Sequence, residues 1–262
     1  MIGSKEGYAL VTGASSGIGY ELAKLFAKDG KNIVVVARSQ DKLEELKRDI
    51  EERYGTNVRV LVKDLADPNS PQEIYSELEK DKVNVDVLVN NAGFSVYGMF
   101  SETELQKELE MIQVNIASLV HLTKLFLRKM IEGKSGKILN VASSGGFMPA
   151  PFHAVYCASK RFVIDFSEAL ANELQGTGVS VTCLCPGATK TLFWDRGNYG
   201  NSRAAKMKMH DAAIPAEVGY TALRKGKVLA IPGLQYKLMP YLCRILPKKA
   251  QIRMMRWAAE RV

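Results

Sequence analysis

The stretch that decides the fold is residues 8–19, Tyr-Ala-Leu-Val-Thr-Gly-Ala-Ser-Ser-Gly-Ile-Gly. An apolar run typical of a buried strand ends in a glycine-rich turn, which opens into a helix with the apolar stripe Leu22, Leu25 and Phe26. Glycines let such a turn approach a pyrophosphate closely, and free N–H groups at the helix N-terminus bind its charge. The GxxxGxG spacing favours a dinucleotide site, with a ligand-free glycine-rich turn as the alternative.

The alternation of strand and helix continues outward from this stretch. The apolar runs are rich in Val, Ile and Leu with little polar alternation, as in strands buried on both faces. We therefore predict an α/β fold of the Rossmann type: a doubly wound, seven-stranded, mostly parallel sheet with helices on both faces. The predicted strands are residues 8–12, 32–37, 58–63, 85–90, 137–141, 179–185 and 228–231.

Two regions interrupt this rhythm within one predicted catalytic domain over residues 1–262. Residues 188–215 form a polar and aromatic insertion after the sixth strand, and residues 233–262 form a basic amphipathic extension. Residues 224–262 contain ten Lys and Arg and one acid, which more than accounts for the net charge of +8. An excess confined to one end argues against nucleic-acid binding, which more often uses a basic face across the fold.

The composition narrows the possible classes of protein further. A hydrophobic content of 47% with 24% charged residues is typical of a globular chain. The chain starts with polar residues and has no apolar run near the roughly 18 residues that span a bilayer, and its cysteines are not spaced as in a disulfide framework or a metal site. These features predict a cytoplasmic protein with no leader or transmembrane helix. The scattered His121, His153 and His210 predict no metal site.

A proton-transfer pair is predicted on a helix over residues 155–174. Tyr156 and Lys160 are four residues apart, so their side chains share a face. A free tyrosine has a pKa of about 10, too high for an efficient base at neutral pH. A neighbouring ammonium, together with the positive ring of an oxidised nicotinamide, favours the phenolate; in the reductive direction the same tyrosine donates its proton.

Four ordered motifs resemble the short-chain dehydrogenase/reductase family. They are Thr-Gly-Ala-Ser-Ser-Gly-Ile-Gly at 12–19, Asn-Asn-Ala-Gly at 90–93, Tyr-Cys-Ala-Ser-Lys at 156–160 and Pro-Gly at 186–187, and the resemblance covers at least residues 7–192. It implies an oxidoreductase that moves a hydride between a nicotinamide and a carbonyl or alcohol. Tyr156 would be its general acid/base. We also expect a homodimer or homotetramer.

The resemblance also implies roles for two further catalytic residues. Ser143 would orient the substrate carbonyl, although by itself it could equally be a turn residue beside Ser144. Asn115 would hold a water that links Lys160 to solvent. It lies within a predicted helix over residues 104–130, where an asparagine is mildly unfavourable, and a role in satisfying the core is the alternative.

The cofactor residues come from the glycine motif, the second strand and the resemblance. By resemblance, Asn91 and Gly93 line the adenosine and ribose side, Asp64 contacts the adenine, and Thr189 and Thr191 lie near the nicotinamide amide. Asn91 could also be a strand-end turn residue and Asp64 a helix cap. The full predicted set is Gly13, Ser15, Ser16, Gly17, Ile18, Gly19, Arg38, Ser39, Asp64, Leu65, Asn91, Ala92, Gly93, Tyr156, Lys160, Pro186, Gly187, Thr189 and Thr191.

The second strand indicates which nicotinamide is used. NAD-binding chains place an acid about 20 residues past the glycines to bind the ribose 2′-hydroxyl. Here the strand ends in Ala37-Arg38-Ser39, and a guanidinium pairs with a 2′-phosphate that a carboxylate would repel. This favours NADP(H), with a solvated loop arginine as the alternative. Ser16 occupies the position where NADP-preferring relatives often carry a second base.

The expected substrate is a hydrophobic ketone, aldehyde or 3-oxoacyl compound, because the residues around the motifs are largely apolar. The tail pattern resembles the branch of broad-range carbonyl or 3-oxoacyl reductases. The predicted pocket consists of Phe94, Val96, Phe147, Met148, Phe152, Leu192, Phe193 and Trp194.

Two other functions remain open: a catalytically silent NADP-binding regulator, and a membrane-surface enzyme that reduces lipid ketones. The second rests on the basic tail, where a helix over residues 248–262 would place Ile252, Met255, Ala259 and Val262 on one face. That helix could close the substrate pocket, form a subunit interface or lie on an anionic membrane. We expect the first.

Overall fold

The computed structural model describes residues 7–196, 202–203 and 209–260. The strands are β1 Tyr8–Thr12, β2 Asn32–Ala37, β3 Val58–Val62, β4 Val85–Asn90, β5 Gly136–Val141, β6 Val179–Leu184, β7 Thr189–Lys190, β8 His210–Asp211 and β9 Leu229–Ala230. The helices are α1 Gly17–Lys28, α2 Gln40–Tyr54, α3 Ser70–Lys80, α4 Leu105–Ile112, α5 Ser118–Glu132, α6 Ala154–Glu173, α7 Phe193–Arg196, α8 Ala213–Arg224, α9 Leu234–Lys237, α10 Met239–Ile245 and α11 Lys248–Ala259.

The seven-stranded sheet is confirmed, and every pairing in it is parallel. Its order is β3-β2-β1-β4-β5-β6-β9. The chain builds outward from β1 in one direction and then from β4 in the other, so the strand order reverses between β1 and β4. In doubly wound sheets, ligands bind in the crevice at the carboxyl ends of the strands at this reversal.

Helices cover both faces of the sheet, as the uniformly apolar strands predicted. In β1, Ala9 and Val11 face a core shared with α1, α2 and α8, while Leu10 faces a second core shared with α3, α5 and α6. Strands with both faces covered have no solvent-facing side, which explains why their sequences lack polar alternation. The ninth strand pairs with β6 only at Leu229 and Ala230, so it is shorter than the predicted run 228–231.

The helix predicted over residues 104–130 is not regular throughout. A π-helical turn, Gln113–Ala117, interrupts it between α4 and α5 and contains Asn115 at its centre. Such turns arise where a side chain or packing constraint displaces the usual hydrogen bonds, and they occur frequently at functional sites. The irregularity therefore lies at the asparagine that helix propensity disfavours in this position.

The insertion and the tail contain local structure of their own. Strands β7 and β8 form a separate parallel pair between the loop after β6 and the segment before α8. In the tail, α11 ends at Ala259, so the predicted helix over 248–262 is shorter, and Val262 lies outside the described residues. Among the helices that the structure describes, none is both long and apolar enough to cross a bilayer.

Candidate active site

The glycine turn after β1 is held by close contacts that leave no room for side chains. Gly13 has a positive φ of 65°, and a Cβ there would lie 2.8 Å from Asn91 Nδ2 and 2.9 Å from Ala92 Cα. Gly17 also has a positive φ, of 62°, and a Cβ would lie 2.8 Å from Thr191 Cγ2. Residues with a Cβ rarely adopt this backbone conformation, so the turn requires glycine on two grounds.

Asn91 binds the turn itself. Its Nδ2 donates to Thr12 O at 2.8 Å and to Gly13 O at 3.2 Å. Thr12 Oγ1 in turn accepts from the backbone N–H groups of Asn91 and Ala92 at 3.0 and 3.1 Å. These bonds join β1 to β4 at the strand-order reversal, so the strand-end role left open for Asn91 is present in the structure. Thr12 was missed as a site residue, although it opens the glycine motif.

The first turn of α1 carries the remaining motif residues. Ser16 occupies the N-cap position in extended backbone, and its side chain makes no capping hydrogen bond. Ser15 is half-buried in the turn, Ile18 packs against the core below, and Gly19 is buried against the Asn91 amide. The first N–H groups of a helix have no intrahelical partner, so the anion site that the motif predicts would lie at this turn.

The residues expected at the adenine end of the cofactor lie together just after the carboxyl ends of β2 and β3. Arg38 Nη1 is 3.6 Å from Asp64 Oδ2, and both side chains are exposed. Asp64 Oδ1 also accepts from Ala66 N at 3.0 Å, which is a turn-capping bond. Ser39 is the N-cap residue of α2. The side chain of Leu65 is buried in the core, so only its backbone could face a nucleotide.

Tyr156 and Lys160 lie on the buried face of α6, as their spacing predicted. Lys160 Nζ donates to Val141 O at 3.0 Å and lies 5.9 Å from the centre of the Tyr156 ring. Ser143, which follows β5, is hydrogen-bonded to the Tyr156 side chain and also accepts from Gly145 N at 3.1 Å. The structure thus brings together three of the four predicted catalytic side chains.

Burial shifts the pKa values of this pair in opposite directions. It raises the pKa of Tyr156 well above its ordinary range, and the hydrogen bond with Ser143 opposes that shift. It lowers the pKa of Lys160 to about 8, because the charged ammonium is poorly solvated. The raised pKa keeps Tyr156 protonated at neutral pH but makes it a weaker acid, opposite to the lowering expected from the neighbouring ammonium. A developing alkoxide is a stronger base than a phenolate, so it can still take this proton.

Asn115 is tied into the site through hydrogen bonds of its side chain. Its Oδ1 accepts from Phe94 N at 3.1 Å, and its Nδ2 donates to Phe94 O at 3.0 Å and Ser159 Oγ at 3.1 Å. Ser159 Oγ donates to Tyr156 O at 2.7 Å, which links the π-turn to α6. A Cβ on Gly93 would lie 2.9 Å from Asn115 Oδ1 and 3.1 Å from Lys160 Nζ. The sequence analysis missed Ser159, which lies within the motif at 156–160.

The loop after β6 reaches the glycine turn and the catalytic loop. Ser144 N donates to Pro186 O at 2.8 Å, and Thr189 Oγ1 donates to Gly187 O at 2.9 Å. Thr191 contacts Gly17, as described above. A Cβ on Gly187 would overlap the ring of Tyr236 in α9, whose hydroxyl accepts from Ala188 N at 3.2 Å. The residues predicted at the nicotinamide side therefore lie beside both the glycine turn and the catalytic loop at Ser143 and Ser144.

Apolar residues from three separate parts of the chain pack around Tyr156. Phe193 lies 5.3 Å from the Tyr156 ring, and Phe94, Val96 and Met255 belong to the same cluster. Trp194 is oriented by a bond from Nε1 to Thr189 O at 2.8 Å. Two members of the predicted pocket are placed differently: Phe147 packs in the core with Val163 and Cys185, and Met148 is buried.

The tail covers the outer side of this apolar cluster. The guanidinium of Arg256 lies 5.5 Å from the centre of the Phe152 ring, which stacks on Tyr97 at 5.8 Å. Tyr97 also donates its hydroxyl to Ala259 O at 2.8 Å. Arg203 in the insertion donates to Trp257 O at 2.8 Å. The insertion and the tail therefore meet beside Tyr156, and Tyr97 and Arg203 are contacts that the sequence did not indicate.

Within the described part of the chain, no cluster of three or more His, Cys, Asp or Glu side chains could hold a metal ion. Cys183 and Cys185 lie buried with their sulfurs 3.7 Å apart.

Comparison with known proteins agrees with this geometry. Residues 7–199 match the family described as short chain dehydrogenase. A very-long-chain 3-oxoacyl-CoA reductase of Phaeosphaeria nodorum is 39% identical over 70% of the chain and 54% of its own length, so the chain spans about half the length of that relative. An uncharacterized oxidoreductase of Staphylococcus epidermidis is 32% identical over 81% of the chain and 91% of its own length. The solved structure of a short-chain dehydrogenase from Sphingobium yanoikuyae in complex with NADPH superposes with a TM-score of 0.82, at 28% identity, over 88% of the chain and 90% of its own.

Proposed function

Because the chain belongs to the short-chain dehydrogenase/reductase family, we propose that it reduces a hydrophobic ketone, aldehyde or 3-oxoacyl-type carbonyl with NADPH. The observation that carries this proposal is the buried Tyr156 hydroxyl, hydrogen-bonded to Ser143, beside Lys160 and facing an apolar cluster. The glycine turn supports the cofactor assignment because it follows β1 at the strand-order reversal and opens α1, which is where doubly wound folds bind a pyrophosphate.

Each residue then has a defined task. The turn at residues 13–19 would hold the pyrophosphate, and Arg38 would pair with the 2′-phosphate. NADPH, when bound, supplies the hydride. Ser143 orients the carbonyl oxygen, and Tyr156 donates its hydroxyl proton to that oxygen as negative charge develops on it. The Lys160 ammonium stabilises the phenolate that remains.

The substrate class follows from the surroundings of Tyr156. Phe94, Val96, Phe193 and Met255 pack in one apolar cluster with Tyr156. An apolar wall suits a carbonyl with bulky hydrocarbon substituents, and the named 3-oxoacyl-CoA reductase relative supports the acyl variant of this proposal. We also propose that α11 forms part of this wall, because Met255 belongs to the cluster and Ala259 O binds Tyr97.

The intact constellation favours an enzyme over a silent NADP-binding regulator. A surface suited to a subunit interface is present on α4. Its Leu105, Leu109 and Ile112 are exposed to solvent at helical spacing. We therefore propose a homodimer or homotetramer, which light scattering on the purified chain would test.

The test of the function is steady-state oxidation of NADPH and NADH against a panel of aliphatic and aromatic ketones and 3-oxoacyl thioesters. We expect turnover with bulky apolar carbonyls and a preference for NADPH. Tyr156→Phe should lower kcat by about 100-fold or more while NADPH still binds, because it removes only the transferable proton. Tyr54→Phe, on α2, is the matched control and should behave as the parent. Tight NADPH binding without turnover on any substrate would instead identify a regulator.

A further inference from the structure

The tail exposes an apolar stripe that the fold does not use. Leu234, Leu238, Leu242 and Ile245 follow one another at intervals of four, four and three residues, with Tyr241 beside them. Leu238, between α9 and α10, has helical backbone angles, so this spacing places the stripe along one side. These five side chains are between 43% and 80% exposed. Such a run of exposed large apolar side chains marks an interaction surface.

The opposite side of the same segment anchors it to the domain. Tyr236 is buried, and it packs with Met239 and Cys243 in the core cluster that contains Ile231 and Cys185. The segment is therefore held against the domain, and the stripe points outward even though the segment is not detached. Of the nineteen exposed large apolar side chains in the described residues, eight lie within residues 234–257, so the exposed apolar area is concentrated there. We call residues 234–257 the tail surface.

Charge on the tail surface has a single sign. Residues 234–259 contain no Asp or Glu, but they contain Lys237, Arg244, Lys248, Lys249, Arg253 and Arg256. Among the described residues, only Arg256 of these six forms an ion pair, with Glu260. In α11, Lys249, Arg253 and Trp257 recur at i, i+4 and i+8, and all three are exposed. Exposed Trp and Tyr side chains beside bases are typical of segments that lie at a membrane–water interface.

We propose that the tail surface docks the enzyme onto a lipid bilayer that contains anionic phospholipid. The apolar stripe would enter the boundary between headgroups and acyl chains, while the five bases other than Arg256 pair with headgroup charge. The segment would lie on the bilayer, since its helices are too short to span one. This proposal is independent of the proposed function, because it uses none of the residues assigned to catalysis or cofactor binding.

The observed charge favours a bilayer over a second copy of the chain. In a symmetric dimer the same patch meets itself, so the bases of one copy would approach the bases of the other without intervening acids. Like charges opposed in this way cost free energy rather than supply it. An anionic membrane satisfies both the apolar and the basic parts of the surface.

The direct test is co-sedimentation of the full chain with mixed phosphatidylcholine–phosphatidylserine vesicles and with pure phosphatidylcholine vesicles. We expect binding to the mixed vesicles that weakens as salt is raised, because the screening length falls from about 10 Å at 0.1 M to about 3 Å at 1 M salt. Each base near such a surface contributes about fivefold to affinity, so Lys249→Gln/Arg253→Gln should bind about 30-fold more weakly. Leu238→Gln/Ile245→Gln should also weaken binding, including at high salt.

Matched controls separate the tail surface from general effects. Arg48→Gln/Lys80→Gln removes the same charge from exposed positions on α2 and α3, and Ile131→Gln removes an exposed apolar side chain from α5. Both should bind vesicles as the parent does, and thermal unfolding checks that every variant is folded. Parent-like binding by the tail variants would overturn the proposal, as would equal loss in the controls. Binding to soluble polyglutamate without binding to vesicles would also overturn it, by identifying an acidic macromolecule as the partner.

Discussion

Two buried side chains of the same helix face, Tyr156 and Lys160, respond to one environment in opposite ways. Removal from water disfavours the charged form of each, which raises the pKa of the phenol and lowers the pKa of the ammonium to about 8. As pH rises, the group that changes first is therefore Lys160. The reductive reaction needs its charge to stabilise the phenolate that forms when Tyr156 gives up its proton.

Because Lys160 loses its proton before Tyr156 does, we predict that activity falls on the alkaline side of the pH profile. In the proposed mechanism the protonated lysine is the active form. It is lost as pH rises through about 8, so kcat/KM for NADPH-dependent reduction should fall above that pH. Initial rates at subsaturating carbonyl across the alkaline range would measure the limb. Constant kcat/KM up to 10.5, the ordinary pKa of a lysine, would show that Lys160 does not govern the reaction.

A second residue-scale prediction concerns Arg38. Its ion pair with Asp64 is exposed, and such pairs contribute only about 1 kcal/mol or less, so a 2′-phosphate can readily displace the carboxylate. Arg38→Asp should lower the ratio of kcat/KM for NADPH to kcat/KM for NADH by about 10- to 100-fold, the range expected for loss of a charged hydrogen bond. Arg48→Asp, exposed on α2, serves as the control and should leave the ratio unchanged. A parent that already prefers NADH would contradict the assignment of Arg38.

At the scale of elements, the last helix illustrates where sequence patterns succeed. Of the apolar face predicted for it, Met255 and Ala259 pack against the domain, but the prediction is wrong for Ile252, which is 39% exposed. Lys249 and Arg253 face solvent, as the pattern predicted. The pattern could not reveal what the inward face touches, because Tyr97, Phe152 and Arg203 are distant in sequence. The π-turn around Asn115 escaped prediction for a similar reason, since it depends on tertiary packing rather than on helix propensity.

These contacts determine how the tail should be removed to test its role as a pocket wall. A chain ending at Gly233 would lose Tyr236 from the core, so it should unfold at a lower temperature. A chain ending at Leu246 keeps α9 and α10 and loses only α11 and the residues after it. We expect this shorter chain to bind NADPH but to lose most of its kcat/KM for bulky ketones, with a smaller loss for acetone-sized substrates. Equal kinetics on bulky ketones would exclude α11 from the substrate site.

At the scale of the whole molecule, the sheet was predictable because its information is local. Each strand is a continuous apolar run between turn residues, and all seven strands in the sheet are confirmed. The positions of Tyr156 and Lys160 followed from helix geometry alone. What the sequence did not reveal are pairings between distant residues, such as Asn91 with the glycine turn and Ser159 with Asn115, because single-sequence patterns carry no information on which side chains meet.

One such distant pair should contribute strongly to stability. Lys31 Nζ lies 2.5 Å from Asp86 Oδ2, with both side chains buried, and the pair joins the start of β2 to β4. Asp86→Asn would remove the charge that Asp86 places 2.5 Å from a buried ammonium and should lower the free energy of unfolding by about 3–5 kcal/mol. The double variant Lys31→Met/Asp86→Leu should recover most of that loss. Urea unfolding of the three proteins measures both effects; a double variant no better than the single would contradict this account.

The contact between Gly187 and Tyr236 has a consequence for how this enzyme can change. The tyrosine ring fills the space of a side chain at position 187, and its hydroxyl fixes the backbone of the next residue. The loop after β6 and the C-terminal segment are therefore interlocked parts rather than separate modules. A chimera that takes this loop from a relative must also take that relative's C-terminal segment. We therefore expect substrate range to change, in evolution or by engineering, only when the two segments are exchanged together.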